Sequence, residues 1–164
     1  MMFDLKRIKE FQDSFGIHFN NQDLLITALT HSSFINDFYQ DNDVDLESNE
    51  TLEFLGDAVI GMIVSKLLYD VFPKWNEGSL TKAKASIVSG SNLAKLSNQF
   101  ELSQYIYMGK GEEKSGGRIR TSNLANAFES LIGALLIDQG YDICFDVVRE
   151  SINEDLKSLE NDSE

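Results

Sequence analysis

Apolar residues recur at helical spacing along most of the chain, and nowhere in the strict alternation of a half-buried strand. Leu5, Ile8, Phe11 and Phe15 predict a first helix over residues 4–15. Leu24, Leu25, Ala28 and Leu29 predict a second, with Asn21 or Asp23 placed to cap it. His31-Ser32-Ser33 then opens a polar, acidic stretch that reads as a loop to about Asp45. The longest apolar segment predicts a helix over residues 46–71, closed at Phe72-Pro73 because proline cannot continue the hydrogen-bond ladder. Another helix starts near Glu77-Gly78 and carries Leu80, Ala83, Ile87 and Val88. A break at Ser89-Gly90-Ser91 separates it from a helix ending near Phe100. Residues 109–117 hold four glycines among mixed charges and read as a mobile loop. Residues 121–138 form the second strongly apolar helix, stopped by Gly140, and one amphipathic helix covers residues 141–159. The pattern predicts an all-α domain over residues 1–159, followed by a polar tail or the start of a linker at 160–164.

Composition narrows the class. No apolar run approaches the eighteen or so residues that a membrane span requires, so no membrane role is expected. Residues 1–10 are charged rather than apolar and do not form a signal peptide. A single cysteine, Cys144, rules out an intrachain disulfide, and its apolar neighbours predict a buried, inert thiol. Together these features point to the cytoplasm. The net charge of −13 argues at first against a nucleic-acid partner. The charge is unevenly spread, however. Residues 74–120 carry eight bases against four acids, a local +4, which leaves −17 for the remainder. A local basic surface is therefore compatible with the acidic total.

The informative feature is the presence of acids inside the two most apolar helices. Between Leu52 and Val64 only Glu53 and Asp57 are charged, one turn apart and so on one face. Between Leu124 and Ile137 the only charge is Glu129, with Asn126 one turn before it. No basic residue lies three or four positions from any of these acids. Like charges at that spacing repel, and burying an unpaired carboxylate costs several kcal/mol, comparable to a domain's whole stability margin. Either the acids face solvent or a cation compensates them. Gly56, Gly61 and Gly133 each cost roughly 1 kcal/mol inside a helix, and close helix–helix approach is one use for them. If the two segments cross near Gly56 and Gly133, then Glu53, Asp57, Asn126 and Glu129 converge as hard oxygen donors for Mg²⁺.

These residues resemble a known family. Asn49-Glu50-Thr51-Leu52-Glu53-Phe54-Leu55-Gly56-Asp57-Ala58-Val59 is similar to the signature helix of ribonuclease III, usually N-E-R-L-E-F-L-G-D-A-V. Asn126-Ala127-Phe128-Glu129-Ser130-Leu131-Ile132-Gly133-Ala134 resembles its second motif, usually D-A-F-E-A-L-I-G-A. His31-Ser32-Ser33-Phe34 and Gly109-Lys110-Gly111-Glu112-Glu113 match in order and approximate spacing. The resemblance covers roughly residues 5–155. It implies the helical endonuclease-domain fold and a Mg²⁺-dependent endoribonuclease of double-stranded RNA, with Mn²⁺ able to substitute. The implied products are 5′-phosphate and 3′-hydroxyl ends, and the implied setting is processing of ribosomal and messenger RNA.

Carried over by position, Asp57 and Glu129 are the implied catalytic residues, and Glu53, Asp57, Asn126 and Glu129 the implied metal ligands. Glu50 and Glu77 are implied at the dimer interface and the edge of the RNA-binding valley. Lys110, Lys114, Arg118 and Arg120 are the candidates for contact with the RNA backbone, and Lys82 and Lys84 are weaker ones. The family acts as a homodimer, to which Phe54 and Leu55 would contribute unless they are intrachain core. It usually carries a double-stranded-RNA-binding domain that this sequence lacks. Two departures matter: Thr51 replaces the usual arginine, and Asn126 replaces the usual aspartate, which removes one negative charge. The alternative reading is a weak or inactive relative that binds structured RNA or assembles with a partner. Neither histidine sits in the carboxylate helices, and His31 reads as structural. An EF-hand beginning at Asp41 fails at Leu46 and Leu52, and no Glu-x-x-His pair supports a di-iron bundle.

Overall fold

The computed structural model describes residues 3–39 and 47–161. They form helices α1 (Leu5–Phe15), α2 (Gln22–Ala28), α3 (Ser32–Tyr39), α4 (Glu50–Val71), α5 (Glu77–Ile87), α6 (Gly90–Gln99), α7 (Leu102–Tyr105) and α8 (Lys110–Lys114). A 3-10 turn at Gly117–Ile119 leads to α9 (Thr121–Gln139), α10 (Tyr141–Ser151) and α11 (Asn153–Asn161). The only β pairing among the described residues is an isolated parallel bridge between Thr30 and Tyr107, so the fold is all-α as expected.

Two helices organise the core because they are apolar on most sides. α4 buries Leu52, Val59, Ile60, Ile63, Val64, Leu67 and Leu68, and α9 buries Leu124, Phe128, Leu131, Ile132 and Leu135. They share the largest interface in the domain. α6, α2 and α10 close around α9, and α5 lies along α4. Local chemistry fixes the helix starts. Asp4, Asn21, Asn76 and Ser89 each accept a backbone N–H of the following turn through the side chain. At the far end of α9 the Asp138 carboxylate accepts the N–H groups of Asn20 and Asn21, each at 2.8 Å, and so ties α9 to the entry of α2. No helix among the described residues is long and apolar enough to cross a membrane.

The structure departs from the sequence pattern at four places. Residues 32–39, read as the start of a loop, form α3; the rest of that acidic stretch, residues 40–46 with Asp41 to Asp45, lies outside the described residues. α4 starts at Glu50 rather than near residue 46, with Asn49 buried before it and its N–H held by the Thr30 carbonyl at 2.8 Å. The last helix is broken into α10 and α11 at Ile152, whose side chain is fully buried at the corner. Residues 109–117 are not a loose loop but contain α8 and the approach to the 3-10 turn. Glycine there serves packing rather than mobility: a Cβ on Gly117 would stand 2.6 Å from the Met108 sulfur. Of the polar tail, residues 162–164 lie outside the description.

Candidate carboxylate active site

The crossing of α4 and α9 is a contact between main chains. A Cβ on Gly56 would lie 1.7 Å from the carbonyl oxygen of Glu129, and one on Gly133 would lie 2.2 Å from that of Leu52. No residue but glycine fits either position without moving a helix. The contact seats the backbone of Glu129 directly on Gly56, between Glu53 one turn before and Asp57 immediately after.

At this crossing Glu53, Glu129 and Asn126 are half-buried, while Asp57 and Glu50 are exposed. None of the five makes a side-chain hydrogen bond or ion pair among the described residues. The electrostatics carry the mark of that isolation. Burial pushes the Glu129 carboxyl up to about 7, and the Asp57 and Glu53 charges push in the same direction. Glu53 is likewise raised, first by burial and then by Glu50 and Asp57. No cation offsets these effects. The three carboxylates thus share one electrostatic neighbourhood across two helices.

They do not form a closed cage: among the described residues no three His, Cys, Asp or Glu side chains stand ready to ligate one ion. That arrangement still fits Mg²⁺, which keeps several waters and needs one or two direct carboxylates. The donor set is hard oxygen throughout, with the Asn126 amide oxygen as its neutral member. A cation beside Glu53 and Glu129 offsets the burial and the like charge that push these two carboxyls up.

A sequence profile described as Ribonuclease-III-like matches residues 21–156. The chain belongs to the ribonuclease III-like family. Ribonuclease 3 of Staphylococcus epidermidis is 51% identical over 129 residues, which cover 79% of this chain and 51% of that protein. Ribonuclease 3 of Staphylococcus haemolyticus is 44% identical over 155 residues, 90% of this chain and 62% of that protein. The chain therefore spans about half to three fifths of the length of these relatives. Among solved structures, a nuclease domain of ribonuclease III from Campylobacter jejuni, described as flexible in a region involved in dimer formation, aligns with a TM-score of 0.81. It is 34% identical and covers 90% of this chain and 97% of that one. Dicer from Pichia stipitis shares the fold, with a TM-score of 0.62 at 23% identity over 87% of this chain and 59% of that one.

The other residues singled out by the ribonuclease III resemblance fall into two groups. Glu77, exposed in the first turn of α5, accepts the Thr81 hydroxyl at 3.2 Å, and no bond joins it to the carboxylate trio. Lys110 and Lys114 are exposed on α8 without an ion pair among the described residues. Arg118 and Arg120, by contrast, are engaged within the chain. Arg118 pairs with Glu113 and donates to the carbonyls of Ser103 and Ile106 at 2.8 and 3.0 Å. Arg120 pairs with Glu112, which also accepts from Asn123 at 2.9 Å. Phe54 is 81% exposed and is not core, whereas Leu55 packs against the core. His31 is half-buried with its Nδ1 on Ser33, the structural role expected of it. Cys144 is buried and its thiol is pushed up to about 11 by burial, which fits an inert thiol. Sequence reasoning missed Ser33, Asp37, Glu112 and Asn123, which hold α8 in place. Ser33 and Glu112 carried a signal, as parts of the His31-Ser32-Ser33-Phe34 and Gly109-Lys110-Gly111-Glu112-Glu113 matches; Asp37 and Asn123 carried none.

Proposed function

We propose that this domain is a divalent-metal-dependent endoribonuclease that hydrolyses phosphodiester bonds of double-stranded RNA. The observation that carries this reading is the unpaired trio of half-buried Glu53 and Glu129 with exposed Asp57, held across a backbone contact in a chain whose relatives are named Ribonuclease 3. Water adds across the bond between phosphorus and the 3′ oxygen, leaving a 5′-phosphate and a 3′-hydroxyl. A bound Mg²⁺ or Mn²⁺ would supply a water of lowered pKa and neutralise charge on the phosphoryl oxygens. Glu53, Asp57 and Glu129 would hold the ion, with the Asn126 amide oxygen as a neutral donor. Asp57 is the most exposed of the trio. Glu129, more deeply set, would release its proton to hold the ion.

The domain acts as a homodimer in this reading, with Glu50 and Glu77 lining the valley between subunits. Support comes from α4, whose exposed side carries Phe54, Met62 and Tyr69 at helical spacing, 81%, 53% and 70% exposed. Lys110 and Lys114 contact the RNA backbone, with Arg118 and Arg120 as further candidates that are paired within the chain with Glu113 and Glu112. A-form duplexes are read by shape, phosphates and 2′-hydroxyls rather than by base edges. The setting is processing of ribosomal and messenger RNA in the cytoplasm.

A second reading, a weak or inactive dimer that binds structured RNA, is favoured by one observation: Asn126 stands where the family motif has aspartate. Incubation of the protein with long duplex RNA, with and without Mg²⁺, separates the two. Metal-dependent cleavage that drops on the order of 10²–10³-fold or more in Glu129→Gln is expected. Bound but intact RNA would establish the second reading, and a gain in Asn126→Asp would show that the asparagine limits the site.

A further inference from the structure

α8 is too short to hold its own direction, because a single helical turn has no cooperative stability. Gly109, at its N-cap position, supplies no side-chain cap. Two side chains one turn apart on α3 do so instead. Ser33 Oγ accepts from the N–H of Gly109 at 2.9 Å, and Asp37 Oδ2 accepts from the N–H of Lys110 at 2.8 Å. The approach is close enough to exclude any side chain at residue 109. A Cβ there would stand 2.5 Å from the Ser33 carbonyl oxygen and 2.9 Å from Asp37 Oδ2. The Ser33 hydroxyl is itself oriented. The Ser33 N–H donates to His31 Nδ1 at 3.1 Å, which marks Nδ1 as an acceptor, so the hydroxyl proton, 2.7 Å from the same nitrogen, is directed there and leaves the Ser33 oxygen free to accept from Gly109.

The same short segment also grips the carboxylate helix. Thr30 accepts the N–H of Asn49, at the start of α4, at 2.8 Å, and the N–H of His31 donates to the Tyr107 carbonyl at 3.0 Å. Residues 30–37 are therefore bonded on one side to the helix that carries Glu50, Glu53 and Asp57, and on the other to the segment that carries Lys110 and Lys114. On its far side, α8 is bolted to the start of α9 through Glu112, Arg120 and Asn123.

We propose that Asp37 and Ser33 are positioning residues that hold the Lys110–Lys114 face of α8 at a fixed offset from the carboxylate site. The offset sets where the duplex backbone is gripped relative to the phosphate that is cut. This inference rests on the reading of α8 as an RNA contact. Asp37 is exposed and lies outside the core, so its replacement leaves the domain folded.

The test compares the full chain with Asp37→Ala, Asp37→Asn and Lys110→Ala, using steady-state cleavage of duplex RNA in Mg²⁺ and exchange of the Lys110 amide proton. Asp37→Ala is expected to raise KM about five- to ten-fold with kcat little changed, and to speed exchange at Lys110. Asp37→Asn keeps an accepting oxygen and is expected to stay within about two-fold of the parent in KM. Removal of a negative charge would by itself draw RNA closer and lower KM, so a rise identifies lost positioning. An unchanged KM in Asp37→Ala beside a raised KM in Lys110→Ala overturns the proposal. An unchanged KM in Lys110→Ala overturns the assignment of α8 to RNA, and this proposal with it. Equal losses in Asp37→Ala and Asp37→Asn would also overturn it.

Discussion

Glu129 has only other carboxylates to answer its charge, and its response to pH follows from that. Its carboxyl is raised from an ordinary value of 4.5 to about 7. An acid raised in the folded state contributes stability that is complete below 4.5 and is lost as pH climbs through about 7. The metal-free protein is therefore expected to lose thermal stability across that window and to level off above it. Glu129→Gln removes this dependence and is expected to stabilise the metal-free protein at pH 8 by about 1–2 kcal/mol, the full shift being discounted for partial exposure. Melting curves at several pH values in a chelator decide the point, and an unaltered slope in the variant would contradict it. A divalent ion selects the charged form, so binding should release a proton below about pH 7, measurable by calorimetry in two buffers. The three acids were legible in the sequence because a charge is conspicuous in an apolar helix. Which of them would hold its proton longest was not, since that depends on how deep α9 seats Glu129 against α4.

At the scale of elements, α8 and the turn that follows divide their bases between two tasks. Arg118 gives its donors to the carbonyls of Ser103 and Ile106, so Arg118→Ala is expected to cost about 1–3 kcal/mol. Urea denaturation measures this, and an unchanged midpoint would refute the structural role. Lys114→Ala is expected to leave stability within about 0.5 kcal/mol and to flatten the salt dependence of RNA affinity by about one ion. The sequence could not separate the two bases, because composition alone does not say which charges are met at home. Asp37 lies 73 residues from the amide it caps, and no local pattern announces such a partner. The glycines of residues 109–117 misled for a related reason: absence of a side chain permits tight packing as readily as motion. The helices with clear periodicity and a capping side chain, α1, α2, α5 and α6, were legible almost to their ends, as was α9, closed by Gly140. The break at Ile152 was not, since a buried corner residue keeps the apolar period intact.

For the molecule as a whole, the exposed side of α4 is the feature a lone domain does not explain. Phe54, 81% exposed, contributes little to the fold of one copy and is expected to matter for pairing. Phe54→Asp should leave the melting temperature of the isolated domain nearly unchanged and convert dimer to monomer by light scattering. A parent protein that is monomeric at micromolar concentration would refute the dimer. The signature helix pointed to that surface, but only the fold separates Phe54 from Leu55, which faces inward. The crossing of α4 and α9 has a consequence for how such a protein can drift. Its spacing is set by Gly56 and Gly133, two positions with no side chain, and by the carbonyl oxygens they touch. Core residues around the crossing can be exchanged for others of similar volume without changing the distance between the acids. Inheritance of the spacing between the acids is thereby uncoupled from inheritance of the core's composition, and distant descendants can keep the one while replacing most of the other.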